Sequence, residues 1–443
     1  MIQKSILMLL VTGWLFTSAQ AQKPAYETMV NGVKVIVQPS GNEIVEVQTI
    51  IKGGVQNYPA EKAGIESLAL SALTECGTKN YDKNSFKNKL DKVSAQVYGY
   101  TTKDYAVYRM NCIKGDFDTV WPLYTEALTQ PRFDEKEFAR VEQDAINNLK
   151  AQNSQPDAAI DKYAEQVAFA GRDYAKDPSG TVASLQSFTA AATKTYYQSI
   201  LTKSRLVIVV VADLDKAEIE SKVKAMLDGV KPGTPFTLKK SSFRIYKNTF
   251  TATPKELATN YIEGITSGPQ PGTPDFNAFQ VAMRIFYDRH FLDIRTNNGL
   301  SYAPGAYFSG GTTPSARFVV STTQPDAYIK VFDKLVEKIK AEGFSNEDVK
   351  NMKTTYLSRL YYQQETNSAQ ASSIAANEVL HDNWKRSLTL ADDVKRLTPD
   401  EVNNAFRKYM GNISWVYQGD PKKVNPVLYI NGTIKRPDNP VNH

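Results

Sequence analysis

Histidine and cysteine are the scarcest reactive residues of this 443-residue chain, with three of the first and two of the second. His290, His381 and His443 fall in or after the second half and are widely separated. A zinc site without clustered imidazole or thiolate is chemically unfavourable, so this scarcity argues against a resident catalytic metal. Cys76 and Cys112 end an expected helix and an expected strand, and nothing in the spacing puts them within disulfide range. Two buried thiols are therefore expected. Long apolar runs are lacking as well. The run from Ile6 to Phe16 is too short to cross a bilayer, and no later segment is apolar enough. With Lys4 before it and Ala19-Gln-Ala21 after it, that run has the form of a secretory signal over residues 1–21. The expectation is a secreted, soluble chain from Gln22, periplasmic in a Gram-negative source. No Cys follows Ala21, so no lipoprotein membrane anchor is expected. A basic run with interleaved aromatics is missing too, and the net charge of +6 is spread along the chain. That distribution argues against nucleic acid as a partner.

What the sequence does contain is a repeat. Phe133-Asp-Glu-Lys-Glu-Phe and the helix running to Leu149 are echoed by Phe344-Ser-Asn-Glu-Asp-Val and a helix to Leu360. In each, a capping residue follows the Phe and acids fill the first turn, as a helix N-terminus favours. Leu185-Gln-Ser-Phe-Thr189, a helix through Tyr197 and a strand ending at Asp213 form a second unit. Leu397-Thr398, a helix through Tyr409 and a strand ending at Asp420 repeat it. Both offsets are close to 210 residues, so the chain is a tandem duplication. In copy one, strands are expected at Val33 to Gln38, Ile44 to Ile51 and Arg205 to Val211, the last apolar throughout and so central in its sheet. Strands grouped apart from helices predict an α+β fold with one sheet face covered by helices. The Pro/Gly/Lys-rich stretch from Gly229 to Lys247 reads as the linker, dividing the chain into 22–236 and 237–443.

The most informative short stretch is Arg295-Thr-Asn-Asn-Gly-Leu-Ser-Tyr302. Phe276 to Asn297 reads as a helix, with Phe279, Met283 and Phe286 at helical spacing. Gly299 stands where a C-cap needs a left-handed residue, and Ser301 to Phe308 alternates like a strand. This Arg-x-x-x-Gly-Leu-x-Tyr pattern resembles the C-terminal domain of the M16 zinc peptidases, the pitrilysin-like and mitochondrial-processing-peptidase-like family. The resemblance covers nearly all of the chain beyond the signal. It implies two homologous α+β domains, each a mainly antiparallel sheet covered by helices, closing as a clamshell. It also implies that Arg295 and Tyr302 help hold a substrate carbonyl.

Catalytic members of that family carry His-x-x-Glu-His on the first helix and a Glu on a later one. Two imidazoles four residues apart lie on one helix face and can share a zinc ion, and the Glu between them takes a proton from the attacking water. The matching helix here is Gly64 to Thr78. Registered from Gly64, it places Ser67 and Ser71 at the histidines and Leu70 at the base. Registered from Gly77-Thr78, it places Leu68, Ser71 and Ala72 there. The third ligand position falls at Asn147 or Asn148, and Glu142 lies about two turns too early to replace it. Glu66 and Glu75 read as solvated acids. No metal or other cofactor is expected in this chain.

The family includes two-chain enzymes in which a zinc-less subunit keeps the Arg/Tyr pair and lends it to a zinc-bearing partner. The resemblance therefore implies a noncatalytic subunit of a heterodimeric metallopeptidase, with zinc in the partner and unfolded oligopeptides as substrate. The alternative is a silent scaffold or peptide-binding homologue. Metal-free hydrolysis has no support, because Ser67 and Ser71 have no histidine near them in sequence.

Overall fold

Seven consecutive apolar residues, Leu206–Ala212, are all buried, which requires cover on both faces of the sheet they join. The protein is described by a computed structural model over residues 24–432. The expected signal segment and His443 lie outside the described residues. The first sheet comprises β1 (Tyr26–Val30), β2 (Val33–Pro39), β3 (Ile44–Lys52), β4 (Gln96–Thr101), β5 (Tyr105–Ile113) and β6 (Leu206–Ala212), in the order β1-β2-β6-β3-β5-β4. The second comprises β7 (Thr249–Pro254), β8 (Asn260–Ser267), β9 (Gly305–Ser309), β10 (Ser315–Thr322) and β11 (Ser414–Gly419), in the order β7-β11-β8-β10-β9. Apart from β1, each strand of one sheet has its counterpart in the other. Each sheet is antiparallel except for one pair, β2 with β6 and β7 with β11. The fold is α+β, and the duplication read from the sequence is visible in its topology.

Local chemistry accounts for the elements. Asn31 and Gly32 both adopt positive φ, 49° and 83°, the pairing that a tight two-residue hairpin demands between β1 and β2. The repeated long helices, Glu135–Ser154 and Asn346–Gln363, start on Asp134 and Ser345, whose side chains accept backbone N–H groups of the first turn. Between the last helix of the first half and β7, residues 232–246 form neither helix nor strand. They are nevertheless anchored, since Phe243 is buried against Phe169 at 4.6 Å between ring centroids.

One expectation is corrected. Each sheet was expected to be covered on one face only, yet both faces of each are covered, and the second cover comes from the other half. Helix Asn367–His381 lies on β3 and β6, where Ala371, Ile374, Ala375 and Val379 pack against Ile36, Ile50, Val207 and Val209. Reciprocally, helix Pro156–Ala168 of the first half lies on β8 and β11. Polar groups fasten the exchange. Asn367 Nδ2 donates to the Ile44 carbonyl at 2.6 Å, and Lys34 pairs with Glu378 at 2.6 Å. Arg317 on β10 reaches Asp161 at 2.5 Å and Glu165 at 3.0 Å on the crossing helix.

Sequence reading missed the charges inside the sheets. Glu46 on β3 is fully buried and takes Arg109 on β5 at 2.7 Å. Glu263 on β8 is fully buried and accepts from Arg317 Nε at 2.7 Å. In each case the Glu lies two residues before the strand partner of the Arg, which is Gln48 in β3 and Ile265 in β8. The signal was a lone charge inside an apolar strand run, Val-Glu-Val and Ile-Glu-Gly, opposite Tyr-Arg-Met and Ala-Arg-Phe. Burial, together with the nearby Asp161 and Glu165, pushes the Glu263 carboxyl up to about 8 against the pull of Arg317.

Candidate functional site

The first-half helix, Ile65–Glu75, begins at Gly64 with φ 93°. A Cβ there would stand 2.9 Å from the Cα of Gly180, so only glycine fits. Leu68, Ala69, Ala72 and Leu73 are buried in the core. On the remaining side, Ser67 and Ser71 line a hollow of about 410 Å³ together with Asn148 of the Glu135–Ser154 helix. Leu68 also lines it, whereas Ala72 and Asn147 do not. The Gly64 register is thus the one that brings both of its ligand positions and Asn148 to one place. Leu70 turns away from the hollow. It is fully buried against the edge strand β4, where a Cβ on Gly99 would lie 2.4 Å from Leu70 Cδ1.

The hollow does not fit a zinc ion. Two hydroxyls and an amide are poor zinc ligands, and Ser71 Oγ donates back to the Ser67 carbonyl at 3.1 Å. Among the described residues no group of three or more His, Cys, Asp or Glu could hold a metal. One end of the hollow is closed by charge. Glu75 accepts from Lys87, and from Arg140 at 2.7 Å, and Arg140 also holds Glu137 and Asp144. Burial works against ionisation of Glu75, but Lys87 and Arg140 outweigh it and hold the carboxyl below its usual range.

The two acids expected in solvent are therefore corrected. Glu75 is tied into that network, and Glu66 is 1% exposed. Tyr196 donates to Glu66 at 2.6 Å and Asn57 at 2.9 Å. Burial nevertheless pushes its carboxyl up to about 7. The two histidines among the described residues are both held below their usual range. Burial pushes His290 down to about 3, with Tyr328 Oη 3.3 Å from its ring. Burial, Arg386 and Lys240 bring His381 down to about 4. Cys76 and Cys112 are free, buried thiols, each pushed up to about 12 by burial.

In the second half, helix Asp275–Phe291 widens into a π-helical turn, Leu292–Asn297, which carries Arg295. Gly299 closes it at φ 61°, its N–H bonded to the Arg295 carbonyl at 3.1 Å, while Leu300 N–H reaches Ile294 at 2.8 Å. Ile294 and Leu300 are buried and pin the turn to the core. The strand begins at Gly305, not at Ser301, so Tyr302 sits in the bend between turn and strand. The Arg295 guanidinium stacks on the Tyr302 ring at 4.2 Å and faces Phe291 at 5.1 Å. Such cation–π contacts orient a guanidinium without using up its donors. Tyr302 is 78% exposed, so the pair is assembled on a rigid turn and presented outward. No second-half residue lines the first-half hollow; within this chain the two sites stay apart.

Known proteins share this fold. Residues 34–181 match the family model described as insulinase, peptidase family M16, and residues 187–356 match that described as the peptidase M16 inactive domain. The chain belongs to the M16 peptidase family. Among curated relatives, the "uncharacterized zinc protease YmxG" of Bacillus subtilis is 20% identical over 389 residues, 86% of this chain and 94% of that one. Mitochondrial cytochrome b-c1 complex subunit 1 of Mus musculus is 22% identical over 168 residues, 37% of this chain and 35% of its own length. Among solved structures, the peptidase M16 inactive domain from Pseudomonas fluorescens superposes with a TM-score of 0.82 at 16% identity, covering 91% of this chain and all of that one. No helix among the described residues is long and apolar enough to cross a membrane.

Proposed function

We propose that this chain is the noncatalytic subunit of a secreted two-chain M16 peptidase, periplasmic in a Gram-negative source, whose zinc-bearing partner hydrolyses unfolded oligopeptides. The observation that carries the proposal is the Arg295/Tyr302 stack, outward-facing and fixed by Gly299, in a chain whose own hollow has Ser67, Ser71 and Asn148 where the ligands would stand. The partner would supply metal and base. Arg295 and Tyr302 would donate hydrogen bonds to the scissile carbonyl oxygen as negative charge grows on it. Losing one such donor costs about 2.7–4 kcal/mol of transition-state stabilisation. Alone, the purified chain should hold no stoichiometric zinc by elemental analysis and should cut no peptide.

The test is reconstitution with zinc-bearing M16 chains, read as peptide cleavage. Tyr302→Phe removes one exposed hydroxyl, so assembly on a sizing column should be unchanged. The assembled enzyme's kcat should fall about 100–1,000-fold, with KM changing less. A variant complex that forms and cuts at the wild-type rate would make the pair structural. The partial match to a cytochrome b-c1 subunit favours a second reading, a catalytically silent scaffold. That reading takes over if added chain leaves every partner's rate unchanged.

A further inference from the structure

The duplication that builds the fold also builds a second cavity. It measures about 330 Å³ and lies between helices Asp275–Phe291 and Asn346–Gln363 and the edge strand β9. Val141, Asp144, Ala145 and Asn148 line the first-half hollow; Met352, Thr355, Tyr356 and Arg359, each 211 positions later, line this one. The places correspond, but the chemistry differs. The first hollow presents Ser67, Ser71 and Asn148 and is closed at one end by its own ion pairs, whereas the second sets Met283, Met352, Phe308 and Tyr356 beside Arg284 and Arg359.

Arg284 stacks on the Tyr356 ring at 5.0 Å, and neither arginine has a carboxylate partner within ion-pair distance among the described residues. The acid of the cavity wall, Asp288, is held up by burial and drawn down by Arg359, Arg289 and Arg284. Arg289 is itself occupied by Asp348 at 2.5 Å. One carboxylate against two unpaired arginines leaves the wall cationic. Methionine side chains accommodate varied apolar shapes, and a planar guanidinium accepts a carboxylate in two-point fashion. The outer edge of β9 pairs with no other strand of the sheet, leaving backbone groups free for an extended chain.

Ring contacts also link the cavity wall to the Arg/Tyr pair. Tyr287, in its wall, faces Phe291 at 6.1 Å between ring centroids; Phe291 faces Arg295, and Arg295 stacks on Tyr302. Positions 287, 291 and 295 repeat every four residues and so share one helix face. The helix that walls the cavity thus runs directly into the turn that carries Arg295.

We propose that this cavity binds the C-terminal end of an oligopeptide, its last apolar side chain between Met283 and Met352 and its free carboxylate between Arg284 and Arg359. The class of ligand rests on the proposed peptidase reading, but the test needs neither partner nor turnover. Calorimetry on the full chain would compare an N-acetylated octapeptide of alternating serine and alanine ending in leucine with the same peptide amidated. The free acid should bind at least about tenfold tighter. That preference should shrink to within about twofold in Arg359→Gln, an exposed position whose change leaves the core untouched. Met352→Trp should weaken the acid at least about tenfold by filling the cavity. Equal affinity for acid and amide overturns the inference, as does a preference that survives both Arg359→Gln and Arg284→Gln. An amidated peptide with an interior glutamate that binds as tightly as the acid overturns the C-terminal assignment. Acid preference combined with an inert Tyr302→Phe would sink only the peptidase reading. A Tyr302-dependent enzyme with no acid preference would sink only this one.

Discussion

Glu66 and Glu263 are carboxyls that folding has taken out of water, one held by two neutral donors and one by an arginine shared with other acids. Both are raised, to about 7 and about 8. For a carboxyl raised on folding, the folded state binds the proton more tightly than the unfolded state. Its stabilising contribution is complete below the unfolded value near 4.5 and is lost as pH rises through the folded one. Stability should therefore decline from about pH 5 to pH 8, opposite to a protein governed by paired surface carboxylates. Glu66 alone carries up to about 3 kcal/mol of this at ~1.4 kcal/mol per unit. Glu66→Gln keeps the size and a donor–acceptor pair but cannot ionise, so it should flatten the pH 5–7 part of the curve. Denaturant unfolding measured across that range checks this, and an unchanged slope would count against a protonated Glu66.

At the scale of elements, the Ile65–Glu75 helix packs against the Glu135–Ser154 helix. Ser67, Ser71 and Asn148 line one hollow between them, so Ser67→His, Ser71→His and Asn148→Glu together should give about one bound zinc per chain, measured by elemental analysis. Leu70→Glu is different in kind. Leu70 is fully buried against Gly99, so an unpaired carboxylate there should cost several kcal/mol and lower the melting temperature sharply. Much of this was legible in the sequence. The repeat, the Gly299 cap and the long helices announced themselves through local signals: caps, periodicity and a residue able to take positive φ. The start of β9 was misjudged because Tyr302 and Ala303 alternate like a strand yet pair with nothing. Glu66 reads as solvated because its shortest hydrogen bond comes from Tyr196, on a helix far along the chain. No local pattern signals a contact made across 130 residues.

At the scale of the whole molecule, the halves are held together by an exchange of helices. The first sheet presents a face rich in valine and isoleucine that its own half does not cover, and separation would expose Ile36, Ile50, Val207 and Val209 to water. At ~25 cal/mol per Å² such a face is strongly unfavourable in solvent and prone to self-association. The first half expressed to residue 236 should therefore be insoluble or form large assemblies on a sizing column. Co-expression with the remainder should recover a soluble complex. A monomeric, cooperatively folding first half would refute the dependence. The same exchange sets a schedule for synthesis. The first sheet is complete once Ala212 has been made, yet its covering helix begins at Asn367, about 150 residues later in the chain. At typical elongation rates of ~5–20 residues per second, that leaves the valine-rich face bare for roughly 10–30 s. A face left bare for that long is prone to self-association, so slowing the delivery of residues 213–366 should lower the yield of folded protein even though no residue there is altered.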